Sequence, residues 1–537
     1  MENFYTPSIH PNKWVNYLLI SIGLLFLISM LTYPMGYDQA VFSAGGEMTI
    51  KNGAITYRDY IDTKPPIIFF IYGLSSEIFG HHEYSIHAFD LIFHILTLIY
   101  FYKVLNRCFG NNQLSLYSCL LYVLFYVTSD FAMVCQAESF AFLPSLVIFD
   151  KTSRISNNNS SALAGFYTGV AACALFLLKF TLLTVSGGAL LFVILNKSIN
   201  SKTAFKFITS HLITYIGLIS FYLIFLWYTG SLQWFIDSLK WLQGYGTLHA
   251  GNLPNIKTEV HFKMYPESLL IAFGLTGIIT LCVGGIRIIK KHSTSASGFF
   301  FLGIQLLFGL MGVFYERKSI DYHYTRLYWM ATPIIAYGLI HIFSLTRLLL
   351  LNWASIQFAQ RILRYSLLIG ALGIFTLYSP LVRISKVPIH WVYTWASGKE
   401  ISQEAHNVRP DMYNNDAKRV ANTLQSFLTE RDNIFLFGNT MMVYFYTNKI
   451  PTTNCLTNAP FITPWTIPSW KKDLINRLKT STPKFFIAET DDARPFANDE
   501  YADSWQLLQQ WPELKSFVET NYTERPTIGH FRIFERK

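Results

Sequence analysis

Apolar runs long enough to cross a bilayer recur along residues 14–381, and this constrains the chain more than any single motif. A membrane helix needs about 20 mostly apolar residues. Runs near 14–33, 84–102, 114–129, 135–149, 162–178, 181–196, 207–228, 267–286, 298–314, 327–345 and 365–381 predict about eleven spans. Lys179 is the strong break inside 162–196. The first run is longer than a signal-peptide core and has no small-residue cleavage site after it, so it reads as a retained span. Composition agrees: 14% of the 537 residues are charged, against roughly 25% in an average soluble domain, and mean hydropathy is +0.29. A cytosolic enzyme, a disordered scaffold and a collagen-like fibre are excluded as classes.

The net charge of +10 invites a nucleic-acid reading, but the bases are in the wrong places for one. With the N-terminus inside, the inner connections carry Lys103 and Arg107, then Lys151 and Arg154, then Lys197, Lys202 and Lys206. Arg287, Lys290 and Lys291 follow, and finally Arg347, Arg361 and Arg364, while the outer turn near 129–135 has no Lys or Arg. That is the pattern of a topology signal, with bases retained on the cytoplasmic side. No contiguous basic patch is left to bind nucleic acid. The six cysteines form no CxxC or Cys/His cluster, which gives zinc no support.

The text changes after about residue 385, where charges become frequent and apolar runs short. Segments 415–430, 440–449, 470–481 and 503–519 predict helices, and 433–438, 484–489 and 528–536 predict strands. Such alternation suggests a small α/β domain. The expected division is a membrane domain over 1–384 and a C-terminal α/β domain over 385–537, placed on the outer face by the odd span count. No Gly-rich phosphate loop recommends nucleotide binding.

The outer side collects the residues with chemistry. The first outer loop, 34–83, is too long for a hairpin turn. Asp38 lies just beyond the first span, residues 38–50 predict an amphipathic interfacial helix, and Gly53 predicts a turn. Tyr57, Arg58, Asp59, Asp62 and Lys64 follow, then Pro65-Pro66 and a second, short helix over 67–80. An acid at the mouth of a membrane cavity can take a proton from an acceptor hydroxyl. Arg58 and Lys64 can bind phosphate, although juxtamembrane bases also pair with lipid headgroups. Glu138 opens a span, where an acid is a functional candidate or a helix N-terminal acid favoured by the macrodipole. Snorkelling accounts for Lys179. The loop 229–266 holds Trp234, Trp241, Tyr245, His249 and His261, weak evidence for metal. Residues 315–333 gather Glu316, Arg317, Lys318, Asp321, His323 and Arg326 before an apolar run, as an anionic-headgroup grip or a solvated loop.

Asp38 after the first span, then YRDYIDTKPP (57–66) and IYGLSSEIFG (71–80), resemble the first outer loop of the protein O-mannosyltransferase and lipid A aminoarabinose transferase superfamily. These are family 39-type polytopic membrane glycosyltransferases of the C-type fold. The block around Glu138, the LFLLKFTLL segment at Lys179, the His323-Tyr324 pair before a span with Pro333, and the C-terminal α/β domain are similar as well. The resemblance implies transfer of a sugar from a polyprenyl-phosphate donor to a protein, lipid A or glycan acceptor on the non-cytoplasmic face, usually with inversion. It implies Asp38 as the base, Lys64 near the carrier phosphate and Glu138 as the acid at the outer end of a core span. Many relatives carry two acids in a row where this chain has Asp38-Gln39, which weakens a role such as metal binding. A divalent metal stays possible and no cofactor is required.

The chemistry of the residues fits that expectation. A departing phosphate gains negative charge, which Arg58, Lys64 and Arg326 on the outer face can stabilise. Asp59 and His323 are further site candidates. The partners expected are the lipid-linked donor, the bilayer and an unidentified acceptor, in a bacterial inner membrane with the C-terminal domain in the periplasm. The competing class is a transporter or flippase for an anionic (glyco)lipid, which intramembrane charges would also serve. Its frequent signature, an internal repeat, is not found.

Overall fold

The computed structural model describes residues 13–155, 161–248, 294–316, 320–351, 383–409, 412–451, 453–493 and 501–537. The expected spans at 267–286 and 365–381 lie outside the described residues, as do His249, His261, Arg317, Lys318 and the inner bases Arg287, Lys290, Lys291, Arg361 and Arg364. The other nine expected spans are all helical: α1 (Lys13–Ser29), α4 (Tyr84–Phe109), α5 (Asn112–Val127), the pair α6 (Ala137–Phe140) and α7 (Phe142–Ser153), α8 (Ser161–Leu178), α9 (Thr184–Leu195), α10 (Ser201–Tyr228), α12 (Thr294–Tyr315) and α13 (Thr325–Leu351). Among the described residues five helical stretches are long and apolar enough to cross a membrane: Lys13–Thr32, Tyr84–Phe109, Ser161–Leu178, Ser201–Tyr228 and Ser297–Tyr315. Leu18, Ile20 and Leu25 of α1 and Ile213, Phe221, Ile224 and Trp227 of α10 are exposed. So large an unpartnered apolar face suits lipid and not water.

The loop 34–83 folds as two helices, α2 (Tyr37–Asn52) and α3 (Ile67–Phe79), with Gly53 in the left-handed conformation at the end of α2. Both helices fall where the sequence places them, and α2 is packed inside protein along most of its length. Gln39 to Ser43 and Gly45 to Met48 are buried, because α2 is wedged between α3, the 131–134 turn and the C-terminal part. Gly46 and Gly73 let the α2 and α3 backbones touch. A Cβ on Gly46 would sit 2.5 Å from the Gly73 nitrogen, a separation only small residues allow.

The opposite end of α4 carries a different set of charges. Buried Asp150 pairs there with Arg107, with Arg154 (2.8 Å) and with Lys151 (3.7 Å), and accepts a hydrogen bond from Tyr100 (2.7 Å). Two of the expected basic connections thus meet around one acid. They lie a full helix length from α2.

Beyond α11 (Leu232–Leu248), which falls in the second long loop, the C-terminal part begins with α14 (Pro388–Ala396), α15 (Ile401–Val408) and α16 (Asn414–Gln425). Strands β1 (Ile434–Phe437), β2 (Phe485–Glu489), β3 (Tyr522–Ile528) and β4 (Phe531–Arg536) form one sheet in the order β1-β2-β4-β3. β1 and β2 are parallel, joined through α17 (Met442–Thr447), α18 (Ala459–Ile462) and α19 (Pro468–Thr480), and the β3–β4 hairpin is antiparallel. The predicted helix 503–519 is two helices, α20 (Ser504–Gln510) and α21 (Pro512–Asn521). Pro512 starts the second, where its missing N–H costs nothing. This part docks on the first loop. Tyr37 donates to Asn439 (3.2 Å), Asn414 to the Met35 carbonyl (3.0 Å) and the Ile61 N–H to the Asn454 carbonyl (2.9 Å).

Candidate active site

Asp38 occupies the first turn of α2, at the seam between the helical bundle and the C-terminal part. Its side chain is 26% exposed, and Lys64 Nζ lies 3.8 Å from its Oδ2. Lys64 comes from the turn before α3. Its backbone N–H donates to Asp62 (2.8 Å) and its ammonium sits over the Phe42 ring at 4.5 Å. Burial works against the Lys64 charge. The carboxylates of Asp38, Asp62, Glu138 and Glu316 outweigh that and hold its pKa above the ordinary lysine value.

Beneath lies a tighter cluster. Glu138 sits on α6, Glu316 just past α12, and Arg326 in the first turn of α13. Lys179 is the extended residue at which the apolar run breaks into α8, a short 3-10 turn over 180–183, and α9. Lys179 donates to Glu138 Oε1 (2.6 Å) and to Glu316 Oε2 (2.8 Å). Arg326 Nη2 donates to the same Glu138 oxygen (2.8 Å) and to Glu316 Oε1 (2.5 Å), and Nη1 to Thr181 (3.2 Å). Thr181 also donates to Glu316. His323 Nδ1 is 2.9 Å from Glu316, and burial pushes its imidazole below the ordinary histidine value. Tyr322 joins the two layers. Its ring lies under Lys179 (5.4 Å), and after burial the Asp38, Glu138 and Glu316 carboxylates push its phenol up. Gly312 makes room for this cage, since a Cβ there would lie 2.7 Å from Thr184 Oγ1 and 3.0 Å from Arg326 Nη1.

Asp38, Lys64, Glu138, His323 and Arg326 are therefore brought together. Arg58 and Asp59 are not. The Arg58 guanidinium forks onto Asp59 (2.8 and 2.7 Å) and donates to the Thr229 carbonyl (2.9 Å), while its own carbonyl accepts from Arg477 (3.0 Å). Burial would raise the Asp59 carboxyl, but the Arg58 fork holds it below the usual range. This pair ties the loop to the end of α10 and to α19. Lys179 needs a correction as well: its ammonium does not snorkel but is clasped by two acids. Nor are Glu316, His323 and Arg326 solvated: all three are nearly enclosed.

Glu138, Glu316 and His323 present ligand atoms within 4.8 Å of one another, a set that could hold a metal ion. Lys179 and Arg326 already engage Glu138 Oε1 and both oxygens of Glu316. Glu138 Oε2 has no partner among the described residues, but a dication ligated by Glu316 would compete with two cations whose charges balance the acids. This donor set fits an ion-pair cage better than a metal centre.

The helical bundle is capped by a small α/β part, with the charged site at their seam. Residues 63–227, which include Lys64, Glu138 and Lys179, match the family model described as dolichyl-phosphate-mannose-protein mannosyltransferase. Among solved structures the chain is similar to ArnT from Cupriavidus metallidurans bound to undecaprenyl phosphate. That match has 10% identity and a TM-score of 0.52, and covers 98% of each chain. It is also similar to the oligosaccharyltransferase AglB from Archaeoglobus fulgidus, in complex with an inhibitory peptide and a dolichol-phosphate. Here identity is 11% and the TM-score 0.46, over 98% of this chain and 74% of that one. The ArnT likeness establishes the fold. No curated protein matches the chain in sequence.

Proposed function

We propose that the protein is a membrane glycosyltransferase that moves a sugar from a polyprenyl-phosphate donor to an acceptor on the outer face, with Asp38 as the base. The observation that carries this is the meeting of a partly exposed acid, Asp38, with Lys64 directly above a buried, charge-balanced cage. Lys64 makes only a loose 3.8 Å contact with Asp38, beyond hydrogen-bonding distance, so its donors are available to a phosphate oxygen. Beneath it Arg326 and Lys179 are neutralised and held in place by Glu138 and Glu316.

In the reaction the acceptor hydroxyl or amine attacks the anomeric carbon from the face opposite the phosphate. Asp38 takes the proton, the bond from that carbon to the phosphate oxygen breaks, and the carrier phosphate leaves with the electron pair. Lys64 meets the charge as it develops. Inversion follows from the single displacement. The C-terminal part (385–537), docked through Asn439 onto Tyr37 beside Asp38, walls the side from which the acceptor arrives. Membrane placement follows the basic connections, with the Asp150 end cytoplasmic and the Asp38 end periplasmic in a bacterial inner membrane.

The test is sugar transfer by the purified full-length protein, given a panel of polyprenyl-phosphate sugars and candidate acceptors, beside Asp38→Asn. Donor-dependent transfer that Asp38→Asn abolishes supports the reading. Labelled-lipid movement across proteoliposomes without acceptor and without sugar transfer would replace it with the flippase class.

A further inference from the structure

Gln39 follows Asp38 directly, and its side chain is fully buried. Its carboxamide is used on three sides. Oε1 accepts from the Gly36 N–H (2.7 Å), and Nε2 donates to the carbonyls of Phe131 (2.9 Å) and Val134 (2.8 Å). The first bond fixes the start of α2, one residue from Asp38. The other two hold the 131–134 turn, which runs into α6 and Glu138.

That turn is held under strain. Cys135 has φ 57°, a left-handed conformation that costs a non-glycine residue free energy. Both of its backbone groups are pinned by buried tyrosines: its N–H donates to the Tyr126 hydroxyl (3.0 Å), and its carbonyl accepts from Tyr72 (2.9 Å). Tyr126 is held in turn by Asp90 (2.8 Å). The segment leading to Glu138 is thus gripped by α2, α3 and α5 at once.

We propose that Gln39 is a positioning residue that sets the spacing between Asp38 and Glu138, by clamping the start of α2 to the strained 131–135 turn. The inference rests on Asp38 being the base. The chemistry at position 39 must be an amide, because the site asks for one acceptor and two donors. A carboxylate of the same shape would keep the Gly36 bond but turn an anionic oxygen toward two carbonyls in a dry environment. Protonation would return one of the two lost donors.

The test compares wild type, Gln39→Glu, Gln39→Met, Tyr72→Phe and Asp38→Asn as full-length purified proteins. A misplacement near 1 Å costs turnover on the order of 10²-fold. Gln39→Glu is expected to lose kcat on that scale while donor KM changes little, and its activity relative to wild type should rise as pH falls. Tyr72→Phe frees the Cys135 carbonyl without adding charge. It should show the same split between kcat and KM, pH-independent relative to wild type. Gln39→Met, which removes all three bonds without adding charge, decides the matter should Gln39→Glu not fold. Wild-type kcat in Gln39→Glu, or in Gln39→Met where Gln39→Glu does not fold, overturns the positioning role. If this happens while Asp38→Asn is inactive, the base assignment stands alone. Full turnover in Asp38→Asn removes the base assignment whatever position 39 does.

Discussion

The Asp38–Lys64 pair and the cage beneath it are both clusters of opposite charge, yet they are built for different work. Side chains in the upper pair are 26% and 13% exposed and meet at 3.8 Å. In the cage Glu138 and Arg326 are at most 1% exposed, and the contacts run from 2.5 to 2.8 Å. A buried charge is tolerated only when paired and hydrogen-bonded, so the cage spends its charges on one another. The upper pair is loose enough to exchange partners, which the proposed proton transfer to Asp38 and phosphate binding by Lys64 require. On that proposal chemistry belongs to the loose layer and geometry to the tight one.

The sharpest break between the layers is expected from Asp38→Asn. Asn cannot take a proton, and general-base catalysis contributes about 10²–10⁴-fold. Turnover should fall by that factor while thermal stability in detergent stays at the wild-type value. A cage residue should behave the other way. Arg326→Leu strands Glu138 and Glu316 with one cation between them, and breaking such a buried pair costs about 3–5 kcal/mol. Unfolding of the solubilised protein should shift accordingly, and adding Glu138→Gln should recover part of the loss. A stable but inactive Arg326→Leu would move Arg326 into the upper layer. Gly312→Ala probes the cage without touching charge. Its methyl would crowd Thr184, the Thr181 carbonyl and Arg326, and overpacking costs about 1–3 kcal/mol. A melting temperature equal to wild type would mean that the cage yields.

The loose layer is more legible in sequence than the tight one. Asp38 and Lys64 stand in one loop, beside a helix start and a Pro-Pro break. The cage is assembled from Glu138, Lys179, Glu316 and Arg326, which lie on three segments far apart in sequence. Periodicity finds each apolar run and even the break at Lys179, but it cannot say that two breaks face each other. Lys179 therefore reads as a snorkelling end until its two acids are in place. Arg58 errs in the opposite direction: a base in the right loop spends its fork on the adjacent Asp59. In the C-terminal part, buried strands β1 and β2 show as apolar runs. The hairpin partner β3 does not, because YTERPTI is mostly exposed and carries Pro526, as suits an edge strand.

The smallest expected effect concerns how the C-terminal part is held against the first loop. His81 Nδ1 lies 2.6 Å from Glu47 Oε1 and Nε2 lies 2.8 Å from the Phe445 carbonyl, with the ring stacked on Phe445. Both partners only accept, so both ring nitrogens must donate, and the bound form is the imidazolium. Burial and Lys51 oppose its charge, but the Glu47 bond and the Phe445 carbonyl prevail and raise its pKa. Burial opposes the Glu47 charge in turn, and His81, Lys51 and Ser76 hold that carboxyl below its ordinary value. The His81 contribution is complete below the unfolded histidine value near 6.5 and is lost as pH rises through the raised folded one. The Glu47 contribution is complete above about 4.5 and is lost as pH falls through the depressed folded value. Docking should therefore be firmest between these limits and loosen first on the alkaline side, where one donor is lost. Hydrogen exchange of residues 438–449 from pH 6 to 9, expressed as protection relative to the base-catalysed intrinsic rate at each pH, reads this directly. His81→Gln, which can donate but does not titrate there, should flatten the alkaline loss of protection. An equally steep loss in that variant would assign the pH dependence to another group and leave His81 as packing.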